Sequence, residues 1–135
     1  MTARFATICV IPCILAGTAV AQLVPEAVET SEVVCPNRPS EPAIIADMDV
    51  RESHKRILVQ RMYRAAAFQD IVDAGLCTCE ARFPSWDIAV DYYLENYSRI
   101  DDQYEVQQIT KTYRTSIAAN RAKVRELCEA QGNWD

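Results

Sequence analysis

A single histidine, His54, stands in the whole chain. With no H-x₃₋₅-H pair and no second C-x₂-C, the usual zinc frames are missing by spacing. C-x-x-C is missing too, and with it the common thiol-redox signature, in which a helix start lowers the pKa of the attacking thiol. No serine or cysteine lies at a motif spacing from His54, so no nucleophile or general base is assigned and no catalytic residue is expected. Positive charge is also scarce: 14 Lys and Arg face 19 Asp and Glu, for a net charge of −5. Nucleic acid is therefore a poor partner. Internal repeats are absent, and the one long apolar run lies at the N-terminus.

That run begins after Arg4, stays apolar from Phe5 to Gly17 apart from Thr7, and meets no acidic residue before Glu26. A basic start followed by an apolar segment too short for a span of about 20 residues has the form of a secretory signal. Ala19 and Ala21 supply the small residues that signal peptidase reads, so residues 1–21 are expected to leave and Gln22 to start the mature chain. An uncleaved anchor is the alternative. Residues 22–42, rich in Glu, Pro, Val and Ser with Pro25, Pro36, Pro39 and Pro42, read as an extended or disordered arm, and residues 43–135 as one helical domain.

Three helices are expected in that domain. The first runs from about Asp49 to Ala74, opened by Asp49 with Glu52 as a capping box and closed by Gly75. Its apolar stripe reads Val50, Ile57, Leu58, Met62, Ala65, Phe68, Ile71 and Val72, with Arg51, Lys55, Arg56 and Arg64 outside it. His54, at the stripe's edge, reads as a partly packed structural histidine. The second runs from Trp86 to about Tyr97 after Ser85, burying Trp86, Ala89, Val90, Tyr93, Leu94 and Tyr97 and turning Asp87, Asp91 and Glu95 to water. The third, capped by Asp102 and ended by Gly132, buries Val106, Ile109, Tyr113, Ile117, Val124 and Leu127. The expected fold is all-α, a three-helix bundle.

Once Cys9 and Cys13 leave with the signal, Cys35, Cys77, Cys79 and Cys128 remain, an even number for an oxidising compartment. The pair Cys77-Thr78-Cys79 has three possible uses: disulfide stapling, thiol exchange, or a soft metal such as copper(I) or zinc. Stapling is favoured in such a compartment, and in an extended turn a bond between neighbours two apart would close a strained ring. Each is expected to reach a different distant partner, one Cys35 and the other Cys128, the assignment between them left open. An up-down-up bundle brings Cys128 to the linker's pole. The arm must run back along a helix roughly 40 Å long to place Cys35, and its residues reach about 46 Å when extended. No metal ion and no cofactor is expected.

On the surface, Lys111, Arg114, Arg121, Lys123 and Arg125 crowd the last helix, where cations suit the dipole and would also meet an acidic arm or partner. Tyr92 lies off its helix's stripe and is a candidate contact residue. The stretch Cys77-Thr-Cys-Glu-Ala-Arg-Phe-Pro-Ser-Trp-Asp87, followed by Tyr92-Tyr93 and a long Gln/Arg-rich helix after a signal, resembles small exported accessory proteins of bacterial conjugation and type IV secretion loci. The resemblance covers the middle third of the chain. It implies a periplasmic, non-enzymatic role with a protein partner in the cell envelope, and no membrane span after cleavage. The alternative is a periplasmic thiol-redox or soft-metal-handling protein built on the C-x-C pair. N-terminal sequencing of exported protein is expected to begin at Gln22, and retention of Met1 in a membrane fraction would establish the anchor instead.

Overall fold

Gly75, at φ 63°, takes the left-handed conformation that ends the first long helix, and Gly132, at φ 69°, ends the last. At Gly132 the termination is a paired one: the Gly132 amide bonds to Glu129 O at 3.1 Å and the Asn133 amide to Cys128 O at 2.8 Å. Between these stops the computed structural model, which describes residues 35–134, is all-α, with no strand among the described residues. The signal segment, Cys9, Cys13 and the first part of the arm lie outside them.

In chain order the helices are α1 (Ala43–Ala46), a 3₁₀ turn (Val50–Glu52) running into α2 (Ser53–Ala74), α3 (Cys79–Arg82), α4 (Asp87–Asn96) and α5 (Gln103–Glu129). The three expected helices are α2, α4 and α5, with α1 and α3 as single-turn additions. Asp49 does cap, but it caps the 3₁₀ turn, accepting from Arg51 N at 2.8 Å. Asp102 caps α5 with bonds from Tyr104 N at 2.7 Å and Glu105 N at 3.1 Å. Ser85 sits one residue before the α4 cap position and accepts from Asp87 N at 3.3 Å.

Among the described residues every other element packs on α2, and no other two elements approach each other at backbone level. A helix with neighbours on several sides has no single buried stripe, which corrects the expected register. Val50 is 83 % exposed and Ile57 45 % exposed, whereas Val59, Tyr63 and Ala67 are buried. Lys55 is buried as well. Its stem lies in the core while its ammonium reaches Glu52 at 3.0 Å and Ser98 O at 3.4 Å. The Glu52 hydrogen bond raises the Lys55 pKa against the lowering effect of burial. On α4, Leu94 is 41 % exposed rather than buried, at an open concavity that it lines with Ala43, Ile44 and Met48.

Two cores result. The upper one gathers Ile45, Leu58, Val59, Met62, Tyr63, Trp86, Val90, Tyr93 and Val106, and the lower one is Ile71, Val124 and the half-cystines Cys77 and Cys128. The mismatch between short α4 and long α5 resolves in the stretch before α4. From Cys77 the chain climbs beside α2 through α3 to Pro84, whose carbonyl accepts from Tyr63 Oη at 2.9 Å, so α4 covers only the upper part of α2. The arm runs from Cys35 past Pro39, whose carbonyl accepts from Trp86 Nε1 at 3.0 Å, to Glu41, which holds Arg56 Nη2 at 2.7 Å and Gln60 Nε2 at 2.6 Å.

The two disulfides span 44 and 51 residues. Loops this similar restrict the unfolded chain almost equally, by about 4 kcal/mol each. Only Cys77 and Cys128 are fully buried. Replacing Cys35 and Cys79 with alanine is therefore expected to cost about 4 kcal/mol in urea unfolding, and replacing Cys77 and Cys128 about 1–2 kcal/mol more, since that pair also leaves a void. Equal losses would show that burial adds nothing.

Candidate functional site

The C-x-C pair is divided by a helix start. Thr78 is the N-cap of α3, its Oγ1 accepting from Ala81 N at 3.1 Å, and Cys79 is the first helical residue. The linker is therefore not the extended turn expected. The break in backbone conformation turns the two sulfurs to different partners: Cys77 bonds Cys128 and Cys79 bonds Cys35, with Cα–Cα distances of 5.0 and 5.2 Å. Asn133 sits between them. Its Nδ2 donates to Cys77 O at 2.7 Å and its Oδ1 lies 3.2 Å from Cys35 Sγ. Both thiols are thus engaged in separate covalent bonds, and the described residues hold no group of three or more His, Cys, Asp or Glu able to take a metal ion. His54 is half-buried, with Nε2 out of solvent and unpartnered among the described residues.

Tyr92 has a more suggestive setting. No Cα of α4 lies within 8 Å of one in α5, so the two helices leave a groove over α2. Its volume is about 540 Å³. Small side chains make it: Ala65 and Ala66 from α2 and Ala89 from α4 form the floor with Met62, and Ile88, Tyr92 and Tyr113 form the walls. Ile88 is 73 % exposed and Tyr92 49 % exposed. Thr112, Ser116 and Gln69 give the rim its polar groups.

A chain of tyrosines closes one end. The Tyr92 ring meets Tyr97 edge-on at 5.8 Å, and the Tyr97 hydroxyl lies 3.3 Å from that of Tyr113. Burial, and then the hydrogen bond with Tyr97, push the Tyr113 phenol well above the ordinary tyrosine range. Tyr92 is raised by its neighbour Tyr97. A half-exposed aromatic ring braced by a second ring loses little freedom on contact with a partner.

Tyr92 was legible in the sequence as an aromatic off its stripe. Ile88, four residues earlier and also off the stripe, was missed, although the i, i+4 spacing of two apolar residues on a polar face was its signal. Asp87, Asp91 and Glu95 are exposed on α4, as expected. The basic cluster of α5 divides. Lys123 pairs with Glu126 at 3.0 Å and Arg125 with Glu129 at 2.7 Å as ordinary surface ion pairs, whereas Arg121 turns toward α2.

Comparison of the chain with protein-family models, with curated proteins and with solved structures finds no match. The geometry itself separates the two adjacent tyrosines of α4. Tyr93→Ala, which empties a core position only 4 % exposed, is expected to cost about 3–5 kcal/mol in urea unfolding. Tyr92→Ala is expected to stay within about 0.5 kcal/mol of the parent protein. A large loss at Tyr92 would make it a packing residue instead of a surface for contact.

Proposed function

We propose that this chain is a non-enzymatic accessory protein, exported to the periplasm, whose groove between α4 and α5 receives an amphipathic helix of a partner in an envelope complex. One observation carries the reading: Ile88 and Tyr92 stand exposed, one helical turn apart, over an alanine floor on a doubly cross-linked scaffold. Single exposed apolar residues are ordinary, but two at the mouth of one apolar groove form a patch of the kind that binds. A helix about 10 Å wide enters such grooves through apolar anchors at i, i+3, i+4 and i+7. The exposed Asp87, Asp91 and Glu95 on α4 give that wall a negative edge. They favour a partner helix whose apolar stripe is flanked by Lys and Arg.

Export rests on the signal-type residues 1–21 and on the chemistry of the cysteines, since paired disulfides persist in oxidising compartments. Among the described residues no helix is long and apolar enough to cross a membrane. The resemblance of residues 77–87 to accessory proteins of conjugation and type IV secretion loci makes such a machine our choice for the complex.

Site-specific photo-crosslinking in cells tests this. A photoreactive phenylalanine analogue in place of Tyr92 is expected to trap one envelope protein through an apolar helix with basic flanks, and Ile88→Asp is expected to abolish the adduct. The same analogue in place of Tyr104, which is 69 % exposed but does not line the groove, is expected to trap nothing. Adducts joining two copies of this chain, or equal capture from both positions, would overturn the proposal.

A further inference from the structure

The opposite face of α2 carries a second concavity of different chemistry. Residues 62, 65, 66 and 69 floor the groove, and residues 63, 64, 67, 68 and 71, which fall on the other side of a 3.6-residue helix, line this one. It measures about 220 Å³. Its floor is apolar: Ala67, Ile71, Val124 and the Cys128 half-cystine are all buried, with Phe68 and Trp134 beside them. Its rim is arginine, from four separate parts of the chain: Arg38 in the arm, Arg64 in α2, Arg82 in α3 and Arg121 in α5.

We infer that this cavity binds a small organic anion, a compact apolar body such as an aryl or branched alkyl group carrying one carboxylate. Three observations lead there. Convergence of like charge is unfavourable, yet this acidic chain gathers it at one spot. Among the described residues no carboxylate pairs with Arg38, Arg64 or Arg121, whereas Arg56, Lys123 and Arg125 each have one. Arg64 feels the crowding directly: the protein packed around it lowers its pKa, and the charges of Arg38, Arg61 and Arg121 lower it further. An anion on the rim relieves that repulsion, and a concave apolar wall concentrates the field that attracts it.

The second observation is preorganisation. The Arg38 guanidinium lies 4.8 Å from the Trp86 ring centre and 5.0 Å from that of Tyr63, two rings stacked at 3.9 Å. Its chain segment is tied down by the bond from Trp86 Nε1 to Pro39 O at 3.0 Å. The planar fork is thus set in place before any ligand arrives, and it matches a carboxylate. Size is the third. An apolar cavity of about 150 Å³ accepts benzene, so about 220 Å³ holds a ring and its short acidic tail. Inorganic phosphate would satisfy the rim and leave the floor wet, and a neutral hydrocarbon would fill the floor and leave Arg38, Arg64 and Arg121 without a carboxylate.

The test uses phenylpropionate as probe, with phenylpropanol as its neutral counterpart and inorganic phosphate as the charge without the body. Amide and indole NMR signals of the full chain, both disulfides formed, are followed at low ionic strength. Phenylpropionate is expected to give saturable shifts at the Trp134 indole and at the amides of residues 67–71, and to bind at least about tenfold more tightly than either control. In the Arg64→Gln/Arg121→Gln double variant its dissociation constant is expected to rise by about tenfold or more. Arg114→Gln, on the same helix but away from the cavity, is expected to leave it unchanged. Equal binding of phosphate, unaltered binding by the double variant, or no saturable shift would each overturn the inference.

Discussion

α2 is the element on which the fold of residues 35–134 depends, because among the described residues it is the one surface that every other element packs against. A helix in that position must bury side chains around most of its circumference, and α2 does so with residues as different as Leu58, Val59, Tyr63, Ala67 and Lys55. Its neighbours are then spaced around it with little need to touch one another. Two consequences follow for function. Where α4 and α5 stand apart on one side, an open apolar groove is left, and where the arm, α3 and α5 meet on the other, an arginine-rimmed cavity is left. Both concavities are products of packing several short elements on one axis.

The parts of this arrangement that could be read from the sequence are those set by local chemistry. Asp102 before α5, Gly75 and Gly132 at helix ends, and the stripe of α5 from Val106 to Val124 all act where the sequence placed them. So does the pairing of each C-x-C cysteine with a distant partner. α2 was misread at Ile57, Lys55 and Tyr63 because periodicity identifies one buried face and this helix has several. The candidate sites divide in the same way. Tyr92 stood out as an aromatic on a polar face. The arginine rim was invisible, because Arg38, Arg64, Arg82 and Arg121 are brought together by tertiary packing and share no spacing along the chain.

Cross-linking and core formation are also less separable than the sequence suggests. The buried disulfide Cys77–Cys128 is itself a large part of the lower core, with Ile71 and Val124 packed on it, whereas Cys35–Cys79 lies nearer the surface. One link fills space and the other fastens the arm. For a domain of this size, with limited apolar surface to bury, using sulfur as core volume reduces the number of large side chains required.

The one-residue gap between Cys77 and Cys79 also fixes how the protein transmits a mechanical load. A pull applied between the two chain ends travels from Cys35 through sulfur to Cys79, along the backbone of Thr78 to Cys77, and through sulfur again to Cys128. α2, α4 and α5 all lie in the closed loops on either side of that covalent path. Tension on the ends therefore bypasses every long helix. The chain behaves as a short inextensible link from which the folded domain hangs unloaded, with the groove between α4 and α5 undistorted, for as long as the two sulfur bridges hold.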